Sequence, residues 1–316
     1  MDAEWMTVRE AAGRAGVTPS TIRNKIERGE LIGALRFGKM HVRTSSIERM
    51  MSPIPLGRQA QTTARVIAIA NQKGGVGKTA TAIAFAAILA RDYRVLAVDC
   101  DPQGNLSLGF GINPDVLDVS LHNVLLGQCP IGSAYQTVST ANVTLVPGNL
   151  DLTALVTEAG SLMGVDMRLR RALDPVRTDF DFVLLDTPPN LDKLTLNALV
   201  AATHVVIPVD MSVFSTRGMI KLLRTLDAVR ASINPDIGDP YVLLTKTDRT
   251  LGSRAVEQNL RNMTEARPVR VLSSTIPVGK DARDSVLATV PLPNFKPSSK
   301  IAQAYEAAIE EILNVK

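Results

Sequence analysis

Between Val66 and Ala90 the chain reads VIAIANQKGGVGKTATAIAFAAILA, and this stretch limits the possible folds more than any other. Val66–Ala70 is short and wholly apolar, the pattern of a strand covered on both faces, as at the centre of a parallel sheet. Ala80–Ala90 is rich in alanine and long enough for about three turns of helix. Asn71–Thr79 between them holds Gly74, Gly75 and Gly77, so its backbone is free to curl and aim N–H groups inward. A strand, a glycine loop and a helix N-terminus in that order make a cradle for phosphate, and the helix end adds positive potential. Lys78 is placed to neutralise the β and γ phosphates of a nucleotide, and the Thr79 hydroxyl to meet Mg2+. Lys73, Gly74, Gly75, Val76, Gly77 and Ala80 complete the expected nucleotide contacts around them.

Such a cradle works with carboxylates delivered by neighbouring strands, and two further runs supply them. Tyr93–Val98 is an expected strand leading into Asp99-Cys100-Asp101-Pro102-Gln103-Gly104-Asn105. Asp101, beside the phosphates, is suited to orienting an attacking water; the alternative is a turn-forming Asp before Pro. Asp99 reads as a support within that loop. Phe182–Asp186 (FVLLD) is an apolar run closing on a carboxylate, followed by the stiff, nonhelical Thr187-Pro188-Pro189-Asn190. Asp186 is expected to hold the Mg2+ shell through water, because magnesium keeps several of its waters. Further strands at His204–Val209 and Tyr241–Thr245, with helices near Leu191–Ala201 and Gly218–Ser232, predict an α/β fold whose mostly parallel sheet is flanked by helices.

The loop departs from the plain GxxxxGK[ST] pattern: Gln72 stands where the first glycine would, and Lys73 precedes the double glycine. With ANQKGGVGKT and the downstream DCDPQGN segment, the chain resembles the ParA branch of the ParA/MinD superfamily from about Val66 to Leu313. The resemblance implies a P-loop NTPase fold, ATP/ADP and Mg2+ as cofactors, and Lys73, Lys78 and Asp101 as the catalytic set. It implies that Lys73 crosses a homodimer interface to the partner's nucleotide, and that Ser274–Val278 lies against the base, with Pro277 and Val278 in contact. It also implies DNA partition, in which an ATP-bound dimer grips DNA nonspecifically and a ParB-type centromere-binding partner stimulates hydrolysis. Thr245-Lys246-Thr247-Asp248 has the form of a guanine-reading [NT]KxD loop, so GTP is the alternative to the ATP that the resemblance favours.

Charge separates the N-terminus from the rest. The net charge of +4 divides into +5 for residues 1–65 and −1 for residues 66–316. Concentrated positive charge suits a phosphate-backbone binder, although a solvated basic face has the same composition. Val8, Ala11, Ala12 and Ala15 fall at helical spacing, Gly16-Val17 interrupts, and Thr18-Pro19 opens a second helix with Thr18 as N-cap. Ile22 and Ile26 face inward in that reading, leaving Ser20, Thr21, Arg23, Asn24 and Lys25 for a major groove. Leu31–Val42 reads as two strands around Gly38-Lys39, with Lys39 at the wing, and Ile47–Met51 as a closing helix. The run TVREAAGRAGVTPSTIRNKIERGEL resembles MerR/excisionase-like winged helix-turn-helix domains, with Lys25 where those commonly carry Trp. The alternative is a docking or dimerisation module. Ser52–Ala64 has the composition of a connector, which gives a DNA-binding domain at 1–51, a linker at 52–64 and an ATPase domain at 65–316.

Other classes are disfavoured. Cys100 and Cys129 have no metal or redox spacing, and no bridging cysteines serve an iron–sulfur cluster. The opening residues lack the pattern of a secretory leader, so a cytoplasmic, nucleoid-associated protein is expected. Ile301–Leu313 is amphipathic, but Glu306, Glu310 and Glu311 are placed on its outer face, which predicts packing on the domain body and no membrane partner. Nonspecific DNA contacts fall to Arg217 and Arg249, with Arg254, Arg261, Arg267, Arg270 and Lys280 as further candidates. Two other functions remain open: a nucleotide-sensing transcriptional repressor, and a ParA-like ATPase that positions a protein cargo.

Overall fold

The computed structural model describes residues 5–15, 17–27, 31, 33–36, 38–44, 47, 63–157, 164–210, 215–247 and 268–314. Near the N-terminus, β1 (Trp5–Thr7), β2 (Gly33–Arg36) and β3 (Lys39–Arg43) form an antiparallel sheet in the order β1-β3-β2. Helices α1 (Val8–Ala15) and α2 (Pro19–Glu27) accompany it. Thr7 and Glu10 bond reciprocally at the start of α1, a capping box that ends β1 and starts the helix without a gap. Thr18 Oγ1 accepts from the Thr21 N–H, the expected N-cap of α2. Val8, Ala11, Ala12, Ile22, Leu31, Val42 and Ile47 are buried together, with Ile26 partly buried against them. Beyond Ile47, the expected closing helix and the connector to residue 62 lie outside the described residues.

The larger sheet has eight strands in the order β11-β10-β9-β4-β8-β5-β7-β6. These are β4 (Arg65–Ile69), β5 (Val95–Asp99), β6 (Gln136–Val138), β7 (Val143–Val146), β8 (Phe182–Asp186), β9 (His204–Asp210), β10 (Tyr241–Thr247) and β11 (Arg270–Pro277). All neighbours are parallel except β6, which returns antiparallel along β7. Side chains alternate between faces, so Val66 and Ala68 enter one core and Ile67 and Ile69 the other. Both faces of the central strands are thereby covered, as their unbroken apolar sequences require.

Helix α3 (Lys78–Leu89) follows β4, and α4 (Asn105–Gly109), α5 (Lys193–Ala201), α6 (Ser215–Ser232), α7 (Lys280–Leu287) and α8 (Lys300–Leu313) come later. Most of α3 is buried, with Phe85 fully enclosed and edge-on to Tyr305 of α8 at 6.1 Å between centroids. Ile301, Tyr305, Ile309 and Ile312 are buried, so α8 does pack on the domain body. The expected outer acidic face is corrected in part. Glu306 pairs with Arg91, and the Glu311 carboxylate accepts from the Ser273 and Ser274 N–H groups of edge strand β11. Among the described residues no helix is long and apolar enough to cross a membrane.

Candidate nucleotide site

Parallel strands deliver their last residues to one rim of the sheet, the usual place for a ligand in an open α/β fold. Asp99 and Asp186 are register partners at the ends of β5 and β8, and Ile69 of β4 pairs with Asp186 from the other side. The glycine loop leaving β4 is thus set beside two carboxylates before any side chain is considered. Within it, Gly75 and Gly77 have φ of 72° and 91°, a left-handed backbone that side-chain-bearing residues rarely adopt. Val76 is buried and its carbonyl accepts from Thr245 Oγ1 at 2.8 Å, which pins the loop to β10.

Lys78 opens α3 and is 7% exposed, its Nζ 3.3 Å from the Lys73 carbonyl. Burial draws its pKa down, while Asp186 and Asp101 draw it back up. Thr79 Oγ1 donates to Asp186 Oδ2 at 2.6 Å, joining the two residues assigned to the metal. Asp186 is fully buried, and its other oxygen, Oδ1, has no hydrogen-bond partner. Burial, then Asp99, raises the Asp186 pKa well above its ordinary value. An orphaned carboxylate oxygen next to a hydroxyl is a hard-oxygen donor set, so these residues fit Mg2+.

Asp101 is 6% exposed, and its Oδ1 accepts from the Gln103 N–H at 3.0 Å. The turn-forming role weighed from the sequence is therefore present in the same residue that faces Lys78. Asp99 supports the loop as expected: one oxygen accepts from the Asp101 N–H, the other from the Ser107 N–H and hydroxyl. Burial pushes its pKa up to about 7 against these bonds. Cys100 is enclosed between the acids; burial, then Asp99, raises its thiol well above the usual value, which suits an inert residue.

Gly77, Ala80, Pro277 and Val278 meet at a largely apolar cavity of about 360 Å3. Gly74 faces Pro189, and a Cβ placed on it would sit 4.0 Å from the Pro189 Cβ. Lys73 is the residue whose surroundings depart most from expectation: its Nζ lies 2.8 and 2.7 Å from the two carboxylate oxygens of Asp210 in its own chain. Of the residues assigned to DNA, Ser20, Arg23, Asn24 and Lys39 are exposed and Thr21 and Lys25 half-buried. Arg217 belongs to α6 with its side chain outside the description, and Arg249, Arg254, Arg261 and Arg267 lie outside the described residues, as does Asp248. Arg270 lies at the start of β11, 6.0 Å from the Tyr241 ring at the strand-start rim, away from the glycine loop. Lys280, exposed, opens α7.

Asn71 and Asp210 were not picked out from the sequence as site residues, and Lys246 only as part of the candidate base-reading loop. Asn71 is 2% exposed; its Nδ2 donates to the Pro208 carbonyl at 2.6 Å and its Oδ1 accepts from the Lys73 N–H at 3.1 Å. Lys246 has φ 53° and lines the cavity, its Nζ approaching Gly75. An acid closing a strand, as Asp210 does in HVVIPVD, was the one available signal.

Comparison with known proteins agrees with this geometry. A family model described as an AAA domain matches residues 64–238. The sporulation initiation inhibitor protein Soj of Bacillus subtilis is 33% identical over 251 residues, covering 78% of this chain and 98% of Soj. The chromosome partitioning protein ParA of Caulobacter vibrioides is 42% identical over 188 residues, 58% of this chain and 70% of that protein. A crystal structure of cobyrinic acid a,c-diamide synthase from Mycobacterium smegmatis, with bound ADP and magnesium, superposes with a TM-score of 0.68 at 36% identity, over 79% of this chain and 94% of that one. The ATP complex of a Cyanothece McdA variant, 21% identical, shares the fold with a TM-score of 0.71, over 81% of this chain and 99% of that one. The chain belongs to the ParA/Soj family of P-loop ATPases.

Proposed function

We propose that this chain is a DNA-partition ATPase that uses ATP and Mg2+, pairs with a second copy when ATP is bound, and then holds DNA through its backbone phosphates. The observation that carries this reading is the Lys78–Thr79–Asp186 constellation, with an unpartnered buried oxygen on Asp186, at the mouth of a glycine loop that carries a second lysine. Mg2+ held by Thr79 and Asp186 supplies charge neutralisation at the phosphates. Lys78 binds and orients those phosphates, Asp101 positions the attacking water, and Lys73 meets the nucleotide of the other copy. Pro277 and Val278 hold the adenine.

In this reading residues 1–51 form a winged helix-turn-helix domain, 52–64 a linker and 65–316 the ATPase domain. The exposed Ser20, Arg23 and Asn24 on α2 support base-edge contacts in a major groove, so the chain also reads an operator. That same face favours a second reading, a repressor whose ATPase domain senses nucleotide. The diamide synthase of Mycobacterium smegmatis bears the name of another reaction on a similar scaffold, and a scaffold by itself does not choose the chemistry.

The test is ATP hydrolysis by wild type, Lys78→Ala and Asp101→Ala, with and without DNA and a ParB-type centromere-binding partner. Partition predicts slow turnover, stimulated by DNA and partner together and lost in both variants. Turnover that survives Lys78→Ala removes the site, and unstimulated wild type with tight operator binding favours the repressor.

A further inference from the structure

We propose that Asp210 is a positioning residue for Lys73, an in-chain carboxylate that competes with the second copy's nucleotide for the Lys73 ammonium and so sets the ATP level at which two chains pair. This rests on the cross-subunit role given to Lys73 above.

The contact is specific in geometry. Lys73 Nζ approaches both oxygens of Asp210, at 2.8 and 2.7 Å, and the two side chains are 32% and 16% exposed. An ammonium has three N–H donors, and two are directed at this carboxylate. A partly buried pair is screened less by salt than one in open solvent.

The backbone on both sides is fixed independently. The Val206 carbonyl accepts from the Ala70 N–H, so the side of β9 that meets β4 is known. Pro208, two residues on, presents its carbonyl to the same side, just past the end of β4. There the Asn71 amide takes the place of a further ladder bond. The same Asn71 side chain holds the Lys73 N–H. Lys73 and Asp210 therefore face each other across a gap set by Asn71 and Pro208, and closing the ion pair orders little besides the two side chains.

Reaching the phosphates of another molecule requires those bonds to break. Each chain lends one lysine, so the apparent pairing constant scales with the square of the fraction of chains in which Lys73 is released, and the ATP midpoint, at two ATP per dimer, scales inversely with that fraction itself. A charge-assisted pair of this exposure keeps that fraction at about a tenth to a third. Asp210 acts through Lys73 and needs no contact with nucleotide.

The experiment titrates the full chain with the slowly hydrolysed analogue ATPγS and Mg2+ and reads dimer by sedimentation velocity, for wild type, Lys73→Ala, Asp210→Asn, Asp210→Ser, Asp210→Glu and the double variant Lys73→Ala/Asp210→Asn. Asp210→Asn and Asp210→Ser are expected to lower the midpoint about threefold to tenfold. Asp210→Glu should return it toward wild type, and the double variant should pair no better than Lys73→Ala. Binding of Mg-ADP to the monomer should be unchanged in the three single Asp210 variants, which a general structural defect would not leave intact. If Lys73→Ala abolishes pairing while both neutral variants keep or raise the wild-type midpoint, the competition is refuted and the cross-subunit role stands. If Lys73→Ala pairs as wild type does, that role is refuted and the competition falls with it.

Discussion

Replacing Asn71 with alanine separates what holds the phosphate loop from what touches phosphate. Asn71 is buried and makes two bonds, donating to the Pro208 carbonyl at 2.6 Å and accepting from the Lys73 N–H at 3.1 Å. The Pro208 carbonyl faces the side where β4 has ended, so losing its donor leaves it desolvated at about 1–3 kcal/mol. The Lys73 N–H is nearer solvent, and its loss adds about 0.5–1.5 kcal/mol. The sum, about 1.5–4.5 kcal/mol, corresponds to a fall in melting temperature of roughly 3–18 °C for a domain of this size. Nucleotide binding should weaken by about tenfold, because the loop must then be ordered at the expense of binding energy. Differential scanning calorimetry and isothermal titration with ATP measure the two effects. Asn71→Asp is the informative companion: it keeps an acceptor for Lys73 but has no donor for Pro208, so it should show most of the thermal loss. A melt within about a degree of wild type, or a large thermal loss with unchanged ATP affinity, refutes the claim that Asn71 ties loop order to β9.

Two further outcomes follow from burial. Asp99 has its pKa raised from 3.8 to about 7, so the folded chain keeps a proton that the unfolded chain releases. Its contribution to stability is therefore present at pH below about 4 and lost as pH rises to about 7; without Mg2+, denaturant midpoints should fall across that window and flatten above it. Phe85→Ala empties the space between α3 and α8, where Phe85 is fully enclosed against Tyr305. It should destabilise by about 3–5 kcal/mol in a urea titration, and a loss below about 1 kcal/mol would mean that the two helices do not share a packed core.

The sequence was most legible where chemistry and burial coincide. FVLLD reads as a strand ending on its acid because four apolar positions and one charged terminus leave no other period, and β8 spans those residues. The same logic places β4, β5, β9 and β10 to within a residue or two of expectation. It failed at Gln136–Val138 and Val143–Val146, runs too short to show alternation. Arg270–Pro277 was not read as a strand, although Ser274–Val278 was singled out as a stretch against the base, because an edge strand with one face half open mixes Ser and Thr with Leu and Ile. Pro208 would ordinarily argue against a central strand, since it has no N–H. It is tolerated because its nitrogen faces the same side as its carbonyl, beyond the end of β4. At the site, the glycines and the residues Lys78, Thr79 and Asp186 announce themselves by spacing. Asp210 and Asn71 do not, since each acts through a contact 137 positions away that no local pattern records.

The Glu311 contacts bear on how copies of this chain can meet. A sheet border with free amides invites a neighbouring chain to continue it, the usual first step toward fibrils. Here a single carboxylate from the last helix occupies two of those amides on β11. That stretch of the border is thereby closed to strand addition, and removing Glu311 would leave the Ser273 and Ser274 amides open to a neighbouring chain.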